Sequence, residues 1–198
     1  MSSQAQMEIG FWRELYRQLG HDGFLEQRGT DFEEFQANLP ELSEALWTPG
    51  LKLLEVGTGL ISPLETCADL KAEVTAVDPL MNQYNEIYPL GGRPVNYIQA
   101  SGEELPFENE SFDAVSCLNV IDHTPYPHKM LEEIIRVLKP GGKFFFEVNF
   151  DEALSPAHYG LWNKRLVEEF FGVWKPIVER TDYRVEHNQT RYWAVFVK

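Results

Sequence analysis

Short apolar runs alternate with helical segments along most of the chain. Five runs rich in Val, Leu, Ile and Phe have the length of buried strands, at 51–56, 72–77, 95–100, 112–120 and 143–150. The segments between and after these runs predict helices from Ser62 onward, at 80–88, at 127–139 and at 155–171. Because strands that alternate with helices are typical of a parallel sheet, the pattern predicts a doubly wound α/β fold.

Local signals mark where two of these helices begin or end. Ser62 is followed by Pro63 and, three residues after the serine, by Glu65, which predicts a capping box with proline in the first turn. Pro140-Gly141-Gly142 predicts the end of the helix at 127–139, because proline and glycine interrupt helices.

The end of the chain departs from the alternation. Two strands are predicted at 176–184 and 190–197, joined by a turn near His187-Asn188 with no helix between them. The sheet is therefore expected to finish in an antiparallel hairpin.

Residues 1–50 form a helical N-terminal segment outside the alternation. Phe11, Leu15 and Leu19 follow the spacing i, i+4, i+8, with Trp12 and Tyr16 beside them. This segment is expected either to cover the sheet or to act as a lid over a ligand, and the two roles are compatible. The predicted division is a cover at 1–50 and one α/β domain at 51–198.

Length and composition describe an ordinary single-domain protein of 198 residues with a formal net charge of −14. The negative charge argues against binding nucleic acid or an anionic membrane, and favours a small-molecule partner. Two cysteines, with no signal peptide or apolar span in the sequence, predict a reducing, cytoplasmic location. No metal cluster is expected, and the oligomeric state cannot be read from the sequence.

A glycine-containing loop is the strongest chemical signal. Glu55-Val56-Gly57-Thr58-Gly59 follows the first predicted strand, where two glycines let the backbone approach a ligand closely. Asp78 ends the second strand, where a carboxylate can accept hydrogen bonds from both hydroxyls of a ribose. Together they predict a nucleoside-containing cofactor. A dinucleotide fingerprint would need glycine where Ser62 stands, which disfavours an NAD-binding oxidoreductase.

Three further blocks occur in order downstream of the loop: Glu103-Glu104-Leu105-Pro106-Phe107, Ser111-Phe112-Asp113-Ala114-Val115, and Arg136-Val137-Leu138-Lys139-Pro140-Gly141-Gly142. With these blocks, the chain from residue 51 onward resembles the class I S-adenosylmethionine-dependent methyltransferases of the small-molecule "type 11" kind. The resemblance implies a Rossmann-like sheet of six parallel strands plus an antiparallel seventh, and an enzyme that uses S-adenosyl-L-methionine.

The resemblance also implies cofactor contacts. Glu55 would lie near the ammonium, Asp78 would bind the ribose, and Asn119 would face the methionine end. The expected cofactor-binding residues are Glu55, Gly57, Thr58, Gly59, Asp78, Pro79, Leu80, Ser101, Gly102, Glu103 and Asn119. The family's pattern differs at Ile61, where a third glycine is frequent, and at Ser101, where an Asp is usual. These departures support an alternative, a catalytically silent cofactor-binding sensor or scaffold.

Candidate catalytic residues follow the fourth strand, at the sheet edge where open α/β folds bind ligands. His123 can accept a proton near neutral pH, and Asp122 beside it can serve as base or as electrostatic partner. This pair favours O-methylation of a small acceptor over N- or C-methylation, although positioning alone can supply much of the acceleration. The expected acceptor pocket contains Trp12, Tyr16, Asn149, His158 and Trp162.

Overall fold

A computed structural model describes residues 3–150, 159–184 and 189–198. The chain divides into two compact units, Met1–Gly102 and Glu103–Lys198. His158 and the predicted turn at His187-Asn188 lie outside the described residues. No helix within the described part is both long and apolar enough to cross a membrane.

The first unit begins with two helices, α1 (Ser3–Asn38) and α2 (Pro40–Trp47). Its later elements are β1 (Lys52–Val56), β2 (Glu73–Asp78), α3 (Met81–Ile87) and β3 (Asn96–Gln99). The strands β1 and β3 both pair with β2 in parallel. The carboxyl ends of β1 and β2 therefore lie at the same edge, because Val56 pairs with Val77.

The second unit contains β4 (Phe112–Leu118), α4 (Pro127–Val137), β5 (Leu138–Phe150), α5 (Lys164–Phe171), β6 (Val178–Arg184) and β7 (Gln189–Val197). The strand β4 pairs with β5 in parallel, whereas β7 runs antiparallel to both β5 and β6. The seven-stranded sheet has the order β3-β2-β1-β4-β5-β7-β6. Six strands share one direction and β7 opposes them, which confirms the predicted fold class.

The prediction of a full helix from Ser62 onward is wrong. A single 3₁₀ turn, Pro63–Thr66, replaces it. Ser62 does cap this turn, since its Oγ accepts a hydrogen bond from the backbone N–H of Leu64 at 3.1 Å. Glu65 does not complete the capping box, because its carboxylate binds Arg93 Nη1 at 2.5 Å and the hydroxyl of Tyr97 at 2.6 Å.

Two other boundaries also differ from expectation. Residues 159–163 are not helical, and α5 begins only after Asn163, whose side chain accepts a hydrogen bond from Leu166 N. Gly141 and Gly142 lie inside β5 rather than in a break before it. Pairing with Lys198 explains this, because Gly141 N donates to the carbonyl of Lys198 at 2.8 Å and extends the ladder.

The N-terminal helix packs through Trp12, Leu15 and Tyr16, but not through the two ends of the predicted stripe. Phe11 and Leu19 are 58% and 40% exposed, whereas Ile9 is buried and Trp12 and Tyr16 pack beside it. Residues spaced every four positions drift by about 40° per step around a helix, so the predicted stripe leaves the packed face. α1 is also interrupted at Gly20, which has φ 69° and ψ −177°.

Candidate active site

The loop after β1 turns back onto β2. Gly57 N and Thr58 N both donate to the carbonyl of Val77, at 2.8 and 3.3 Å. Gly57 and Gly59 have φ of 77° and 67°, a region that favours glycine. The sequence therefore places its glycines where the backbone must adopt this conformation.

Asp78 joins the loop to the end of β2. Its Oδ2 accepts a hydrogen bond from Gly59 N at 3.1 Å, and its Oδ1 accepts one from Leu80 N at 2.9 Å. The residue is 7% exposed. Two backbone N–H groups, one on each carboxylate oxygen, therefore hold the Asp78 side chain in a fixed orientation.

Glu55, at the end of β1, is the buried acid of the loop. Burial raises the pKa of Glu55 to about 7, opposed by a hydrogen bond from Ser62 and by the positive charge of Arg28. The Thr58 hydroxyl also donates to Glu55 Oε2, at 3.4 Å. A cationic ligand group beside this carboxyl would favour its ionised form.

Trp12 of the N-terminal helix lies against the loop. A Cβ placed on Gly59 would be 2.6 Å from Trp12 Cζ2, so the indole contacts the glycine backbone directly. The guanidinium of Arg28 lies 5.2 Å from the indole centroid and forms an ion pair with Asp31. The position of Arg28 was missed from the sequence, because nothing in the local pattern links a helical arginine to Glu55.

Ile61, which replaces a frequent glycine, is fully buried together with Leu60. Both belong to a hydrophobic cluster with Ile9, Phe24, Tyr84 and others from α1 and α3. Tyr16 packs on the same cluster, with its ring 5.5 Å from Phe24. The isoleucine side chain thus has an apolar environment within the first unit.

The remaining cofactor candidates divide between the two units. In the first unit, Pro79 is exposed and Leu80 is half-buried. Ser101 and Gly102 follow β3. The end of β3 is bonded to β2, since Ala100 N donates to the carbonyl of Asp78 at 3.2 Å. In the second, Glu103 accepts a hydrogen bond from the hydroxyl of Thr124.

Asn119 directly follows β4 and has a left-handed conformation, with φ 57°. Asparagine tolerates this region better than most residues. Its backbone N–H donates to the carbonyl of Glu147 at 3.0 Å, and its Oδ1 accepts a hydrogen bond from Asn149 Nδ2 at 2.7 Å. The two candidates Asn119 and Asn149 therefore lie side by side at the carboxyl ends of β4 and β5.

The candidate catalytic pair lies in a short 3₁₀ turn after β4, at Ile121–His123. Asp122 is 2% exposed, whereas the side chain of His123 is 27% exposed. The nearest nitrogen and oxygen of the pair, His123 Nε2 and Asp122 Oδ1, are 3.9 Å apart. Asp122 can thus influence the half-buried imidazole of His123 electrostatically.

Asp122 also lines a cavity of about 390 Å³, and Trp162 lines the same cavity. The backbone N–H of Tyr159, which also lines the cavity, donates to the carbonyl of Asp122 at 2.7 Å. Trp162 is 8% exposed, and its ring meets Phe170 edge-to-face at 5.1 Å. Of the proposed acceptor residues in the second unit, Trp162 lines this cavity, and Asn149 bonds to Asn119.

Neither cysteine has the environment of a reactive nucleophile. Cys67 and Cys117 are both free and buried. Burial raises the pKa of the Cys117 thiol well above its usual range, with smaller contributions from the nearby acids Asp122 and Glu147. A thiol of this kind stays protonated and inert.

A family model described as "Methyltransferase domain" matches residues 54–146. Over 111 residues the chain is 37% identical to a ubiquinone biosynthesis O-methyltransferase of Xanthomonas axonopodis pv. citri, covering 54% of this chain and 46% of that protein. Over 128 residues it is 38% identical to sterol methyltransferase-like 1 of Botryococcus braunii, covering 61% and 31%.

Among solved structures, the PH0226 protein of Pyrococcus horikoshii OT3 has a TM-score of 0.67 at 20% identity, with 93% of this chain and 98% of that chain covered. At this identity the likeness concerns the fold alone. The chain spans less than half the length of the two curated relatives described above.

Proposed function

Because this chain belongs to the class I S-adenosylmethionine-dependent methyltransferases, whose domain it carries at residues 54–146, we propose that it transfers a methyl group to a small-molecule acceptor. S-adenosyl-L-methionine is the cofactor of this family. The proposed division is a helical cover at 1–50 and a methyltransferase domain at 51–198. Two buried free cysteines favour a reducing, cytoplasmic location.

The observation that carries the proposal is the contact between Asp78 and Gly59. Asp78 Oδ2 accepts a hydrogen bond from Gly59 N, which fixes a carboxylate beside the glycine loop at the ends of two parallel strands. A ribose diol needs two adjacent acceptors, and the carboxylate of Asp78 supplies them. Glu55, at the end of the neighbouring strand, supplies an acid for the ammonium of the cofactor.

Other residues complete the proposed cofactor site. Leu80 and Pro79 flank the adenine ring, with Ser101, Gly102 and Glu103 toward its edge. Asn119 faces the methionine end. The Nε of Arg28 has no hydrogen-bond partner within the described residues, and it offers a donor to an anionic group of the ligand.

Methyl transfer from a sulfonium is an in-line displacement. The acceptor atom forms a bond to the methyl carbon while the carbon–sulfur bond breaks and its electron pair stays on sulfur. Holding donor and acceptor in line supplies much of the acceleration. For a hydroxyl acceptor, His123 removes the proton as the oxygen attacks, and Asp122 stabilises the imidazolium that results.

O-methylation is the preferred reaction, because the His123 and Asp122 pair provides a base that a hydroxyl requires. One relative is named for O-methylation and another for a sterol, and both names concern small molecules. Trp12, Tyr16, Asn149, His158 and Trp162 are the proposed pocket residues. The second candidate function is a catalytically silent cofactor-binding protein, favoured by the serine at position 101.

Calorimetric titration with S-adenosylhomocysteine tests the cofactor proposal. We expect micromolar binding that weakens at least tenfold in Asp78→Ala, because charge-assisted hydrogen bonds to the ribose are lost. Asp69→Ala removes an exposed acid of the same unit and should bind normally. No binding up to millimolar ligand would overturn the proposal. Binding without methyl transfer to any of a broad panel of phenols and amines would establish the silent alternative.

A further inference from the structure

The cavity beside Asp122 has the size of a small-molecule pocket. Its volume of about 390 Å³ falls within the range of about 300–1,000 Å³ that is typical of ligand sites. It lies entirely within the second unit, between the segment after β4 and the segment that leads into α5. Its described lining includes Ile121, Pro125, Tyr159, Leu161, Trp162 and Phe170.

The walls of the cavity are aromatic and held in place by defined contacts. Phe170 meets Trp162 edge-to-face at 5.1 Å and lies 4.8 Å from the ring of His128. The backbone bond from Tyr159 to Asp122 ties the two wall segments together. Flat aromatic side chains that keep their arrangement favour a flat apolar ring as ligand, through contact area and ring stacking.

The charges of the lining oppose an anionic ligand. Two carboxyl groups, Asp122 and Glu169, line the cavity, and no lysine or arginine is found among its described lining residues. Arg165 pairs with Glu169 at 2.8 Å, but the side chain of Arg165 is 84% exposed to solvent. An anion entering the cavity would lose its hydration without gaining a cationic partner, and this desolvation is costly.

We propose that this cavity binds an apolar, ring-bearing acceptor that carries no negative charge. The role of this ligand as a methyl acceptor rests on the proposed function, whereas its binding does not. The acceptor ring lies against the side chains of Trp162 and Phe170, and its reactive group lies toward Asp122. Acceptors whose ring bears a carboxylate or phosphate are excluded. The class is therefore narrower than that of small molecules in general.

Calorimetric binding of two matched probes tests the inference, naphthol and a hydroxynaphthoate that differs from it by one carboxylate. The titrations are made with the full chain, both alone and saturated with S-adenosylhomocysteine. We expect naphthol to bind at least tenfold more tightly than hydroxynaphthoate in both states. Equal or tighter binding of hydroxynaphthoate, or no binding of naphthol, would overturn the inference.

A pair of substitutions locates the binding site. Leu166 lines the cavity, so Leu166→Trp fills it with an indole and should weaken naphthol binding at least tenfold. Val173→Trp adds the same indole at a position that is 99% exposed, and it should leave naphthol binding unchanged. Unchanged binding in a folded Leu166→Trp variant would place naphthol elsewhere and overturn the assignment.

The same titrations separate this inference from the proposed function. Binding of S-adenosylhomocysteine without naphthol binding contradicts the pocket and leaves the cofactor proposal standing. Naphthol binding that is blocked by Leu166→Trp, in a protein that does not bind S-adenosylhomocysteine, supports the pocket and contradicts the cofactor proposal.

Discussion

The indole of Trp12 lies directly on the backbone of Gly59, where any added Cβ would be 2.6 Å from Trp12 Cζ2. One residue belongs to the N-terminal helix and the other to the loop that we propose for cofactor binding. The N-terminal helix therefore contacts the loop directly. Such a contact is compatible with both roles expected for that helix, a cover over the sheet and a lid over a ligand.

Gly59→Ala should destabilise the protein through two separable effects. Alanine at this position carries the strain of a φ of 67° and also collides with Trp12. Gly92→Ala is the matched control, since Gly92 has a φ of 77° but no atom within 4 Å of its added Cβ. In urea unfolding we expect Gly59→Ala to cost about 1–3 kcal/mol more than Gly92→Ala, the usual cost of overpacking. Equal costs would contradict the contact.

A double-mutant cycle isolates the collision. Trp12→Ala should reduce the cost of Gly59→Ala, because the alanine methyl then meets empty space while the backbone strain remains. Additive losses would show that the indole does not press on Gly59.

Glu55 should make stability depend on pH between about 4.5 and 7. Its folded pKa of about 7 lies above the ordinary value of 4.5, so the folded state holds a proton that the unfolded state releases. Stability is therefore lost as the pH rises through this window, by an amount on the order of 3 kcal/mol. We expect Glu55→Gln to flatten the profile of unfolding free energy, whereas the exposed Glu73→Gln should not. An unchanged slope in Glu55→Gln contradicts the assignment.

Cofactor binding should release a proton near pH 6.5. An ammonium group beside Glu55 favours the carboxylate, so the fraction of Glu55 that is protonated falls on binding. Titration of S-adenosylhomocysteine in buffers of different ionisation enthalpy measures this release. Proton release of the same size in Glu55→Gln would show that another group is responsible.

Arg28 should lower the pKa of Glu55, which belongs to the same unit. Its positive charge opposes the effect of burial on that carboxyl. We therefore expect Arg28→Gln to move the pH midpoint of the stability profile upward, without removing the transition. Arg17→Gln is the control, because Arg17 is an exposed helical arginine paired with Glu14. A midpoint that stays in place, or moves down, contradicts the coupling.

His123→Ala should lower the rate of methyl transfer to a hydroxyl acceptor by about 100-fold or more, the usual contribution of a general base. Binding of S-adenosylhomocysteine should be unchanged, and His21→Ala should have normal activity, since His21 stacks on Tyr88 in the other unit. Normal turnover in His123→Ala combined with loss in Asp122→Asn would instead assign the base to Asp122.

The sequence by itself predicted the elements that depend on local pattern. Buried strands show as apolar runs, and Gly57 and Gly59 occupy left-handed positions that glycine adopts most easily. The position of Asp78 beside the glycine loop was predictable. Asp78 is the last residue of β2, the loop follows β1, and the carboxyl ends of parallel strands lie at the same edge of the sheet. The antiparallel end was predictable because the sequence shows no helical pattern between the last two predicted strands.

Only the tertiary structure decided features that depend on residues distant in sequence. Glu65 leaves its expected cap because Arg93 and Tyr97, remote in the chain, offer stronger partners. Trp12 rather than Phe11 faces the protein because Leu60 and Ile61 provide the surface against which α1 packs. A local sequence pattern indicates which face of a segment is apolar. It does not indicate which other segment covers that face, because residues distant in sequence meet only in the folded chain.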